Sequence, residues 1–228
     1  MNMKKIISPT NILDLAKAVS GFTISGEGNV SVRDDDTFLI KASGTDLISL
    51  TYEDLVRCDL DGNALEGEEK KPSMEVSFHA WILKNFPDIN CVCHTHPTHT
   101  NKILCSGRIN DFANKRLFPD QVVRNGVKSC VVPYATPGIK LRNSIMESVE
   151  NFIIANKYFP KLILLTNHGI ITASSSINDC ITSTLMCEKS AEIFIGAKLL
   201  NNISFLTQEQ IDEIDNDPSE KYRRSLIK

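Results

Sequence analysis

The sequence lacks the features that would tie it to a nucleic acid, a bilayer or an oxidising compartment. Its 25 Lys and Arg stand against 28 Asp and Glu, a formal charge of −3. No basic block is longer than a pair, so there is no positive field for nucleic acid. The apolar runs fall far short of the roughly 18 residues needed to span a bilayer. The opening segment MNMKKIISPTN has two lysines but no apolar stretch behind them, so no secretory signal is expected. Seven cysteines is an odd number, and their spacing forms no disulfide framework. A reducing cytoplasm is therefore the expected compartment. The acidic cluster Asp34 to Asp36 is too short for a binding tail and reads as a solvated loop.

Repeats, low-complexity tracts and linkers are also missing, so a single domain is expected over 1–228, with a core over about 10–200 and a C-terminal helix and tail over 207–228. At 42% hydrophobic and 23% charged residues, the chain can bury an ordinary globular core. TNILDLAKAVS spaces Ile12, Leu13, Leu15, Ala16 and Val19 as on a helix. VSVR and TFLIKAS read as strands, TYEDLV as one helical turn started by Thr51, and VRCDLDGNAL as a hairpin-like piece. SMEVSFHAWILKNF is an expected helix, INCVCHTH a strand and THTNKILCS a helix. KSCVVPY is a strand, IKLRNSIMESVENFIIANK a long helix, and LILLTNHG and GIITAS are strands. INDCITSTLMCEKSAEIFIGAKLL is a long helix, and TQEQIDEIDNDPSEKYRR a helix with a polar tail. Hairpin strands mixed with packed helices predict an α/β fold with a largely antiparallel sheet.

The densest chemistry lies in NCVCHTHPTHTNK, with two cysteines and three histidines between Cys91 and His99. Side chains two apart on a strand share a face. His94 and His96 then project together, about 7 Å apart at the backbone. Cys91 and Cys93 point the other way and read as small buried hydrophobes. Pro97 ends the strand, and His99 falls on the following helix, as a support behind the site or a surface residue. In LILLTNHGI, a continuous apolar strand runs into Asn167, His168 and Gly169, where Gly169 allows close approach of another group. His168 is the expected third nitrogen ligand. Three histidines around Zn2+ leave a position open, the pattern of a catalytic metal site.

KPSMEVSFHAW supplies a carboxylate. Ser73 is an expected N-cap, which puts Glu75 in the first helical turn; the helix dipole alone would also favour an acid there. His79, one turn on, reads as core or as a support behind the site. SGEGNVSVR and KASGTDL place Gly beside small polar residues at strand ends, where backbone N–H groups can face phosphate oxygens. Ser73 at a helix start would add a contact.

In their order and spacing, GEGNVSVR, KASGTDL, KPSMEVSFHAW, HTHP, VPYATPG and LLTNHGI resemble the class II aldolase/adducin family, from about residue 10 to residue 200. The resemblance implies a three-layer α/β/α fold with a central, mostly antiparallel sheet. It also implies a homotetramer with active sites between neighbouring subunits, and a zinc-dependent cleavage of a ketose phosphate to dihydroxyacetone phosphate and an aldehyde. Related members are epimerases, decarboxylases and noncatalytic adducin heads. Epimerases carry Asp where Glu75 stands, and adducin heads have lost the metal ligands, so both differ from this chain.

Carried over by residue, His94, His96 and His168 match the zinc ligands, and Glu75 the base and optional fourth ligand. Gly28, Asn29, Ser43, Gly44 and Ser73 match the phosphate pocket. Two departures stand out. Met74 replaces a second serine before the glutamate. RLFPDQVV lacks the tyrosine that fuculose-type members use as general acid from the adjacent subunit, which leaves Asp120 as the nearest ionisable candidate. Tyr134 reads as structural, and Tyr222 and Arg223 are candidates for the aldehyde pocket. Expected partners are a small sugar phosphate and further copies of the chain, with neither nucleic acid nor membrane.

Overall fold

The computed structural model describes residues 10–200, 202–220 and 222. The N-terminal lysine segment and Arg223 lie outside the described residues.

Helix α1 (Thr10–Val19) buries Ile12, Leu15, Ala16 and Val19 completely, one apolar stripe at helical spacing. Strands β1 (Asn29–Asp34) and β2 (Thr37–Lys41) form a hairpin whose turn holds Asp35 at φ 51. The acidic cluster is thus a solvated turn, with Asp34 paired to Arg57. The helical turn expected over TYEDLV is a 3-10 turn, Tyr52–Asp54, opened by a Thr51–Asp54 capping box, and it is shorter than expected because Leu55 and Val56 already belong to β3 (Leu55–Asp59). Helix α2 (Val76–Asn85) leads to β4 (Cys91–Thr95) and α3 (Thr98–Leu104).

Two short helices follow that periodicity did not reveal, α4 (Ile109–Asn114) and α5 (Pro119–Asn125). At six and seven residues they are shorter than two full helical turns, too short for a periodic stripe to stand out. Arg116 fastens them: its buried guanidinium donates to the carbonyls of Phe112, Ala113, Lys115 and Gly126. The chain continues through β5 (Cys130–Val132), α6 (Ile139–Asn156), β6 (Leu162–Leu165), β7 (Gly169–Ser174), α7 (Ile177–Leu199) and α8 (Gln208–Asn216).

The seven strands form one sheet in the order β3-β2-β1-β4-β7-β6-β5. Every pairing is antiparallel except β5 with β6. On one face, Phe78 and Ile82 of α2 and Leu141 and Ile145 of α6 pack on Phe38, Ile40, Val92, Ile163 and Ile171. On the other, α1 and α7 cover Val30, Val32, Cys91 and Cys93, and α3, α4 and α7 cover Leu162, Leu164 and Ile170. This is the expected α/β/α layering. Each fully buried Leu or Ile contributes roughly 1.5–3 kcal/mol against exposure. The buried positions of α7 are mostly small (Cys180, Ser183, Thr184, Cys187, Ser190, Ala191), so this helix can lie close to its neighbours. No helix among the described residues is long and apolar enough to cross a membrane.

Candidate metal centre and anion pocket

The centre of the sheet, where β1, β4 and β7 adjoin, positions the site. Alternation along β4 puts Cys91 and Cys93 under α1 and α7, and Val92 and His94 toward α2, as the spacing predicted. His94 is fully buried, and its Nδ1 donates to the Ile170 carbonyl at 2.9 Å. That bond fixes the proton on Nδ1 and leaves Nε2 with a bare lone pair. His96 follows the strand end. Its Nδ1 faces Glu27 Oε2 at 3.5 Å, and its Nε2 lies 3.0 Å from His94 Nε2. His168 sits in the three-residue turn between β6 and β7 rather than on a strand; Asn167 takes the left-handed φ of 55 that makes this turn. One ligand atom from each of the three histidines lies within 4.8 Å of the others.

Gly169 makes this convergence possible. A Cβ there would meet His96 Cδ2 and the Thr95 carbonyl oxygen, both at 2.5 Å.

Glu75 closes the group, but not as a residue of the first helical turn. Helix α2 begins at Val76, with Glu75 in the cap position and no side-chain capping bond. Ser73 is therefore not the N-cap; it ends the loop before the helix, where its Oγ accepts from the Glu75 amide at 3.4 Å. Released from capping, the Glu75 carboxylate turns inward. Its Oε2 lies 3.2 Å from His94 Nε2 and its Oε1 3.6 Å from His168 Nε2. Burial pushes this carboxyl up, but His94, the Asn29 hydrogen bond and His168 outweigh it and hold it below the usual range. Burial and then His94 hold His96 and His168 below the imidazole range, His168 at about 4. At neutral pH Glu75 is thus a carboxylate, and His96 and His168 are neutral imidazoles beside it.

The donor set fits a divalent cation. Two Nε2 atoms 3.0 Å apart face each other while their Nδ1 atoms point at acceptors. Glu75 Oε1 is buried with no hydrogen-bond partner among the described residues. Lone pairs aimed at one another repel unless a cation lies between them. Three nitrogen donors with one optional oxygen suit Zn2+ with an open position.

The expected anion residues are brought together, with changes. Ser43 and Gly44 are exposed beside Ser73, since the Ser43 amide donates to Lys71 O and the Ser73 amide to Lys41 O. Those two N–H groups are used by the chain itself and do not face outward. A Cβ on Gly28 would meet the His94 carbonyl oxygen at 2.8 Å, so the loop presses against the metal-ligand strand. Asn29 departs from the expected role: its side chain binds Glu75 and His79. Lys41, which motif reading passed over, is fully buried. Its ammonium donates to the carbonyls of Gly26 at 3.3 Å and Thr45 at 2.5 Å, stapling the two loops from beneath. Burial lowers its pKa, against the pull of Asp46.

His99 is outside the cluster and pairs with Glu188, which also accepts from the His99 and Thr100 amides at the start of α3. Asp120 lies in the first turn of α5, which packs on α7 and α8. Met74 is 79% exposed, and Tyr134, read as structural, is exposed in the single chain, as is Tyr222. Ser31 and Glu27 were not singled out from sequence; GEGNVSVR contains both, but nothing local marks which side chains face the histidines.

The family model described as Class II Aldolase and Adducin N-terminal domain matches residues 14–195. A 3-oxo-tetronate 4-phosphate decarboxylase of Haemophilus influenzae is 32% identical over 198 residues, covering 86% of this chain and 89% of that protein. An L-fuculose phosphate aldolase of Methanococcus maripaludis is 31% identical over 175 residues, covering 75% and 86%. Among solved structures, an L-fuculose 1-phosphate aldolase superposes with a TM-score of 0.78 at 24% identity, covering 96% of this chain and 99% of that one. At that identity the likeness speaks for the fold.

Proposed function

The chain belongs to the class II aldolase and adducin family, and from that premise we propose that it is a zinc-dependent lyase that breaks a carbon–carbon bond in a phosphorylated ketose or 3-oxo sugar acid. One observation carries this reading: Glu75 Oε1, buried and unpartnered, faces the three-histidine centre. His94, His96 and His168 would hold the ion, with Glu75 as an optional fourth ligand. Bound there, the ion supplies Lewis-acid stabilisation of negative charge developing on substrate oxygens.

The chain's own groups do the rest. Asn29 holds Glu75 Oε2 at 2.9 Å, so Oε1 is the atom that takes or returns the proton at carbon. The loops at Gly28 and at Ser43–Gly44, with the Ser73 hydroxyl, would orient the substrate phosphate, and Lys41 holds the first two in register. Ile24, Ile48 and Met74, each more than three-quarters exposed, lie on or beside these loops. Cover by a neighbouring chain, as in a homotetramer, would exclude water there. Seven unpaired cysteines suit a reducing cytoplasm.

Two leaving groups fit this core. Aldol cleavage gives dihydroxyacetone phosphate and an aldehyde, and requires a group that takes the proton from the hydroxyl that becomes the aldehyde oxygen and gives it back in the reverse condensation, a role for which Asp120 is the candidate. Decarboxylation needs no such group, because the carboxylate that leaves as CO2 carries no proton to be removed. The missing tyrosine in RLFPDQVV and the 32% identity to the Haemophilus decarboxylase favour this second reading. The test is a paired assay on zinc-loaded protein: dihydroxyacetone phosphate with a panel of aldehydes, and a 3-oxo acid phosphate with CO2 detection. Turnover in either arm is expected to vanish in Glu75→Gln while bound zinc is retained. Full activity of that variant would remove Glu75 from its role.

A further inference from the structure

Behind Glu75 runs a buried chain of hydrogen bonds that ends on β1. Asn29 and Ser31 are two apart on that strand and so face α2 together, while Val30 and Val32 face α1. His79, one turn into α2, reaches between them. Its Nδ1 lies 2.7 Å from Ser31 Oγ, and its Nε2 lies 2.5 Å from Asn29 Oδ1. Asn29 Nδ2 in turn lies 2.9 Å from Glu75 Oε2. His79 and Ser31 are fully buried and Asn29 is 3% exposed, so bulk water has no ready route to replace a missing partner. The Phe78 ring stacks on the imidazole at 4.6 Å between centroids.

Only one assignment of protons satisfies every member. An ionised carboxylate can only accept, so Asn29 must present its NH2 to Glu75. Its carbonyl oxygen then faces His79, which must carry its proton on Nε2. His79 Nδ1 is left as an acceptor, and the Ser31 hydroxyl is the donor that fills it. Burial keeps the ring neutral, with its pKa lowered to about 3. If the proton moved to Nδ1, the bare Nε2 would call for the Asn29 NH2. The amide would turn over and set its oxygen against the carboxylate.

We propose that His79 is a positioning residue for Glu75: the Ser31 hydroxyl fixes it as the Nε2–H tautomer, and it thereby locks the Asn29 amide with its NH2 toward the carboxylate. This deepens the lyase reading and rests on Glu75 as the base. It separates the work of the two carboxylate oxygens, with Oε2 held by Asn29 and Oε1 left for the carbon proton. His79 touches neither the proposed ligands' lone pairs nor the substrate side of the pocket. Its loss should therefore slow the proton step without weakening substrate binding.

Two measurements on the full-length, zinc-loaded chain test this. The first needs no turnover: 15N NMR of histidine-labelled protein, with the His79 signals identified by their loss in His79→Gln. Wild type is expected to show a protonated Nε2 and a bare Nδ1 at neutral pH, and Ser31→Ala to lose that exclusive form. The second is kinetic. His79→Phe is expected to lower kcat by roughly 10- to 100-fold, the loss of one charge-assisted contact, with KM nearly unchanged. His79→Gln, which keeps an N–H near the Nε2 position, is expected to recover about tenfold of that loss. A wild-type ring protonated on Nδ1 or on both nitrogens overturns the proposal. So do Phe and Gln variants that are equally slow, or a defect that falls on KM. If wild type cleaves no substrate in either assay, the lyase reading fails, and the tautomer measurement alone decides whether Ser31 sets the ring.

Discussion

Gly169→Ala tests whether the imidazoles converge because residue 169 carries no side chain. The new methyl would lie 2.5 Å from the Thr95 carbonyl oxygen and 2.5 Å from His96 Cδ2, with His94 Cε1 at 3.2 Å. The first neighbour is backbone in the central strand β4 and cannot retreat without breaking the ladder to β7. Overpacking by one methyl typically costs 1–3 kcal/mol, and a clash with fixed backbone belongs at the upper end, about 3 kcal/mol. For a chain of this size that corresponds to a fall in Tm of roughly 6–12 °C. His96 must also swing away, so zinc affinity is expected to fall about 10- to 100-fold, as when a supporting group is lost. Gly44→Ala is the control. Its Cβ meets nothing within 4 Å, but φ is +80, so only backbone strain of about 1–2 kcal/mol applies and zinc binding should be untouched. The assays are thermal unfolding with and without zinc, and competition against a chromophoric chelator. If Gly169→Ala kept both its Tm and its zinc affinity, close packing at this position would not be what brings the rings together.

Three further outcomes are expected. Zinc at one hundred times its dissociation constant should stabilise the chain by about 2.7 kcal/mol, and His96→Ala should abolish most of that shift in a melting experiment. Acid should destabilise the fold through His79. The ring titrates near 6.5 when unfolded and about 3 when folded, so the unfolded chain takes up the proton first. Stability present above pH 6.5 is lost as pH falls toward 3, by about 2 kcal/mol at pH 5, and His79→Gln should flatten that part of a denaturant-midpoint profile. Finally, a thiol reagent should titrate one cysteine, Cys105, in the native protein and all seven in denaturant, because the other six are buried. Rapid labelling of Cys91 or Cys93 would contradict the packing of β4 under α1 and α7.

Much of the fold was legible because its elements are long or regular. The α1 stripe at Ile12, Leu15, Ala16 and Val19 and the alternation of Cys91 and Cys93 against His94 could be read directly. Short elements were not, since α4 and α5 are held by Arg116 and neighbouring helices rather than by a periodic face. The start of α2 was misplaced at Ser73 because capping propensity is local, whereas Glu75 is drawn away from the helix by imidazoles from β4 and the β6–β7 turn. Asn29 could be recognised as part of a motif. That its amide serves the carboxylate depends on His79, which is 50 residues away in sequence.

The sequence by itself determined the chemical inventory: three histidines and a glutamate able to hold a cation, two glycine-bearing loops, and an α/β pattern whose apolar runs fall short of bilayer length. Those follow from residue type and spacing, which are local properties. Tertiary structure decided which nitrogen of each ring faces the centre, which carboxylate oxygen is held, and which N–H groups the backbone spends on itself. Such choices are made by hydrogen-bond partners from distant strands, and only folding brings those partners within 3 Å or so of one another.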